Sequence, residues 1–97
     1  MEHERPKVNA VDLVAKSQLA LIHAASARPL FDWSVIQQLA HLWQATNAAR
    51  YRSAGVEPED IRPNLRMVFR DYVQEVRQDN PEEAERFRRA LAPELDF

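Results

Sequence analysis

Residues 10–27 show the spacing of a helix that is apolar almost all the way round. At about 100° per residue, the ionisable side chains Asp12, Lys16 and His23 fall together in an arc of roughly 40°. Val11, Leu13, Val14, Leu19, Leu21 and Ile22, with six alanines, fill most of the remainder. A surface helix carries one apolar stripe, and a helix that is hydrophobic on every side is covered on several. This segment is therefore expected at the centre of the domain. Its last apolar sector is covered either by later helices of the same chain or by another copy.

The pattern continues more mildly over residues 33–54. Val35, Ile36, Leu39, Leu42 and Trp43 cover one side, with Trp33 and Tyr51 at its edge. The opposite side is polar but almost uncharged, with Gln37, Gln38, His41 and Gln44. Such a face loses less on desolvation than a charged one, so it is read as able to lie against a partner. Residues 63–79 form an amphipathic helix with the seam Leu65, Phe69, Tyr72 and Val76. Arg62, Arg66, Arg70 and Arg77 flank one side of that seam, and Asp71, Glu75 and Asp79 flank the other. Residues 81–92 form a last helix docked by Ala84, Phe87 and Leu91, with Glu82–Arg86 and Glu85–Arg89 as pairs one turn apart.

The breakers agree with this division. Asn9 reads as the cap of the first helix, and Pro29 ends it. Gly55 reads as the left-handed residue after the second helix, and Pro63 as the first residue of the third. Asn80-Pro81-Glu82-Glu83 is the clearest start signal in the chain, and Pro93 stops the fourth helix. The expected fold is all-α: a small four-helix domain at residues 9–92, in which the first two helices form an antiparallel hairpin and two amphipathic helices pack on it. Residues 1–8 read as a flexible, mixed-charge lead without a secretory signal, and 93–97 as a tail that frays or packs back over the domain.

Composition narrows the function classes. With no cysteine there is no disulfide or thiolate site. The net charge of −2 is not that of a chain that coats polyanions. The arginine excess reads as bacterial or phage codon usage, and the expected location is the cytoplasm. The single glycine leaves no phosphate-cradling loop, and none of Ser17, Ser26, Ser34 and Ser53 has a nucleophile-elbow context. No enzyme activity, cofactor or metal is expected. His23 and His41 sit on adjacent helices but lack the spacing and third ligand of a metal site.

The segment Gly55-Val56, followed by Pro58-Glu59-Asp60-Ile61-Arg62, resembles the turn and second-helix start of helix-turn-helix repressors. That resemblance implies a nucleic-acid-binding regulator using Arg62, Arg66 and Arg70. Two features depart from the pattern. Pro63 interrupts the recognition helix, and Glu57, Glu59 and Asp60 would meet the phosphates.

The favoured expectation is a non-enzymatic protein-interaction module that self-associates: a small bacterial or phage adaptor, assembly factor or inhibitor. Its partner is expected to be a second copy, as a homodimer, or another helical protein. The candidate interface residues are Leu13, Leu21, Ile22, Gln37, His41 and Gln44. Arg62, Arg66, Arg70 and Arg77 are candidate contacts for an anion or partner. The alternatives are the nucleic-acid regulator and an accessory subunit of an enzyme complex.

Overall fold

The computed structural model describes residues 6–28 and 32–97, and these residues contain four α-helices and no strand. In chain order they are α1 (Pro6–Ser26), α2 (Trp33–Ser53), α3 (Pro58–Asp79) and α4 (Pro81–Leu91), followed by a 3-10 segment, Ala92–Leu95. No helix among the described residues is long and apolar enough to cross a membrane.

The first two helices form an antiparallel hairpin, since Asp12 meets Tyr51 and Gln18 meets Asn47. The small residues Ala15 of α1 and Ala40 of α2 are both fully buried in this hairpin. There the Trp43 indole N–H donates to the Ala15 carbonyl at 2.9 Å. α3 lies along the inner side of the hairpin and runs in the direction of α1, with Asn64 beside Asp12 and Tyr72 beside His23. α4 returns antiparallel to α3 and places Phe87 against Phe69 and Tyr72. The core is continuous, built on Leu19, Trp43, Tyr51, Leu65, Phe87 and Leu95. The molecule measures 45 × 27 × 18 Å, so its shortest axis holds about two helix layers.

Two boundaries differ from the sequence expectation, and the tail takes the packed-back one of its two expected forms. α1 begins at Pro6, not beyond Asn9, and buries Val8, so residues 6–8 belong to the helix rather than to a lead. Residues 1–5 of that lead lie outside the described residues. α3 begins at Pro58 and passes through Pro63. Proline inside a helix forfeits one hydrogen bond and costs about 3 kcal/mol. The extra turn buries Ile61 and sets Glu59 and Asp60 at the positive end of the helix dipole. Pro63 therefore neither starts nor interrupts the helix. The last residues do not fray: after Pro93 the 3-10 segment buries Ala92 and Leu95 and brings Phe97 onto Phe69.

Caps fix the turns. Gly55 has φ +95° and completes a motif in which Val56 N–H donates to the Tyr51 carbonyl and Gly55 N–H to that of Arg52. The Asn80 side chain accepts from the Glu83 N–H at 3.1 Å, so one residue ends α3 and starts α4.

Leu19→Ala and Leu95→Ala are each expected to cost about 2–5 kcal/mol in urea unfolding, because both side chains are fully buried. A cost below about 1 kcal/mol for Leu95→Ala would contradict the docking of the 3-10 segment.

Candidate functional site

The orientation of α1 organises the surface. Its polar arc turns inward. The Asp12 carboxylate accepts from the Tyr51 hydroxyl and from the Asn64 amide at 2.9 Å. Lys16 pairs with Glu75 on α3 at 2.5 Å. His23 is held on both ring nitrogens, Nε2 at 2.6 Å from Glu83 and Nδ1 at 2.7 Å from the Tyr72 hydroxyl. A carboxylate only accepts, so Nε2 carries the proton and, in the neutral ring, Nδ1 accepts from Tyr72. The imidazole also stacks on Phe87, with the ring centres 4.5 Å apart.

The opposite side of α1 is left uncovered. Leu13 is 66% exposed and Leu21 71%. Between Asn9 and Ala27 no exposed residue of α1 is charged. Leu42 of α2, 61% exposed, continues the face, and Val35 lies on the same side of its helix about 20° away. Of the seven large hydrophobics that are exposed among the described residues, six belong to α1 and α2, and the seventh, Met67, lines a shallow groove together with Leu13. A groove of about 280 Å³ runs between the two helices, lined by Gln18, Leu21, Ile22, Leu39, Leu42 and Trp43, with Thr46 at its end. It is lined almost wholly by apolar side chains, so it suits an apolar side chain.

The expected interface residues do not share this face. Leu21 lies on it, whereas Leu13, exposed but about 80° round the helix, borders the groove shared with Met67, Val68 and Asp71 of α3. Ile22 is a buried core residue that forms only the groove's inner wall, because it is turned about 100° from Leu21 toward Leu19. Gln37 donates to Glu94 at 3.3 Å, and His41 lies 3.8 Å from the same carboxylate, so this edge of α2 faces the chain's own C-terminal segment. Gln44, half-buried, lies within about 20° of Gln37 around the helix. Val35 and Leu42, read from the sequence as part of the covered side, are outside it, since only Ile36, Ala40, Trp43, Asn47 and Tyr51 of α2 are buried. The buried Asn47 had no signal in the pattern. Its amide donates to the Trp43 carbonyl and to Gln18, both at 2.8 Å.

The arginine face of α3 is largely engaged within the chain. Arg62 bonds Asp96, Arg62 and Arg66 both stand over the Phe97 ring, and Arg77 bonds Gln74. Arg70 is exposed. On α4, Arg86 pairs with Glu83 rather than Glu82, which places Glu83 between Arg86 and His23. His23 and His41 contact different carboxylates, and no group of three metal-ligating side chains occurs among the described residues. Neither the α1–α2 groove nor the groove shared by Leu13 and Met67 is lined by His23, Tyr72 or Glu83, and that trio ties α1 to α3 and α4. Burial raises the hydroxyls of Tyr51 and Tyr72 above the ordinary tyrosine value, with Asp12 adding to the first and Glu75 and Glu83 to the second. Compared with known proteins, the chain matches no family, no curated protein and no solved structure.

The hydrogen bonds from Arg86, with a further one from His23, hold the Glu83 carboxyl at about 2, down from 4.5. A carboxyl depressed on folding adds stability above its unfolded value and loses it as pH falls toward the folded one. Stability is therefore expected to fall between about pH 4.5 and 2, and Glu83→Gln should make that fall shallower. Urea midpoints measured across this range check it, and parallel curves for the two proteins would contradict it.

Proposed function

We propose that this chain is a non-enzymatic protein-interaction module, an adaptor, assembly factor or inhibitor, that docks another helical surface on the outer face of α1 and α2. The observation that supports this reading is the orientation of α1. Turning Asp12 and His23 inward costs solvation that must be matched by dedicated partners, while Lys16 pairs with Glu75 at the surface. Leaving Leu13 and Leu21 outside forgoes about 25 cal/mol for each Å² of apolar surface they would bury. A helix that served only to close its own core would do the reverse on both counts. Contiguous exposed apolar surface is the mark of a contact site for another macromolecule.

Leu21→Glu combined with Leu42→Glu is expected to leave helix content intact and monomer stability within about 0.5 kcal/mol per site, because both positions are exposed. The same variant should lose the chain's membership in heavier complexes. Size-exclusion chromatography of the purified protein and of the tagged protein in extract of its native host reads this. A wild-type chain at monomer mass in both samples would overturn the reading.

A further inference from the structure

Resting on that reading, we infer that the occupant of the α1–α2 face is a second copy of this chain, joined by a two-fold axis so that Leu21 of each copy enters the other's groove beside Leu42. Three observations carry it.

The first is charge. No Asp, Glu, Lys or Arg occurs from Trp33 to Ala49, and no exposed residue from Asn9 to Ala27 is charged. A foreign partner is selected by complementary charge, and this face has none to select with. A face meeting its own copy must instead avoid like charges opposite one another, which an uncharged face does in any register.

The second is shape. In a two-fold contact each surface must supply both the projection and the recess. Here they are adjacent: Leu21 is the most exposed large hydrophobic side chain described, and it stands on the rim of the 280 Å³ groove that continues to Leu42 and Thr46.

The third is area. The stretches without exposed charge, residues 9–26 and 33–49, each about 26 Å long and spaced about 10 Å apart, present a flat footprint of roughly 500 Å². As side-chain surface this is of the order of the ~800 Å² that each partner gives to a standard stable interface. Two hairpins stacked this way form a four-helix contact across the axis.

The test uses the purified full chain and no other protein. Light scattering at tens of micromolar is expected to give twice the chain mass of 11.3 kDa. Leu21→Glu alone and Leu42→Lys alone should each weaken association by about a hundredfold or more, since either buries an unpaired charge, while circular dichroism stays unchanged. Mixing these two variants should restore a dimer containing one of each, because the carboxylate introduced in one copy then meets the ammonium introduced in the other.

A purified wild type that stays monomeric overturns the second-copy proposal. If it nonetheless joins a Leu21-dependent complex in host extract, the interaction-module reading stands with a different partner. If it joins none, both fall. Single variants that remain dimeric, or a mixture that stays monomeric, overturn the placement of Leu21 against the partner copy's groove.

Discussion

Three polar side chains on one face of α1 decide how the molecule is assembled. Asp12 and His23 find partners inside the fold, Tyr51 with Asn64 and Tyr72 with Glu83, and Lys16 pairs with Glu75 at its surface. Once these bonds are made, the rotation of α1 about its axis is fixed. Val8, Ala15, Leu19 and Ile22 then enter the core, and Leu13 and Leu21 must face away from it. A hydrophobic stripe alone would let so apolar a helix settle in several rotations. Buried polar contacts remove that freedom, because any other rotation leaves Asp12 and Tyr51 unsatisfied.

The remaining elements follow from that rotation. α2 packs on α1 through Ala40, Trp43, Asn47 and Tyr51, which places Leu42 beside Leu21 rather than in the core. α3 covers the polar arc, and α4 follows because Asn80 serves both helices. The 3-10 segment seals the end of the core with Leu95 and occupies the uncharged edge of α2 through Glu94. Phe97 then sits under Arg62 and Arg66, so part of the arginine face serves the fold. The two-layer molecule that results keeps most charge on α3 and α4 and leaves the outer hairpin face uncharged until Arg50 and Arg52 at the end of α2.

The helices were legible because their signals are local. Asn80-Pro81 and Gly55 act through caps that involve only neighbouring residues. The start of α3 was signalled locally by Pro58-Glu59-Asp60, but the helix's passage through Pro63 was not legible, because its reward is the burial of Ile61 by distant parts of the chain. The excess of apolar surface on α1 was readable from composition, but which leucines would be in surplus was not. Leu19 and Leu21 are equivalent in the pattern, and yet one is 0% exposed and the other 71%. The difference comes from the partners of Asp12 and His23, which lie between 39 and 60 residues away. For the same reason Gln37 and His41 read as a free face until the C-terminal segment is seen against them.

The central claim is that α1 serves two interfaces at once, the core through its inner side and a second copy through its outer side. Such a chain is stabilised by its own concentration, since association favours the folded state by mass action. The direct measurement is the thermal midpoint of the purified protein over a hundredfold range of concentration, beside the same series for Leu21→Glu. The account requires a midpoint that climbs with concentration in the wild type and stays level in the variant. A wild-type midpoint independent of concentration would contradict it.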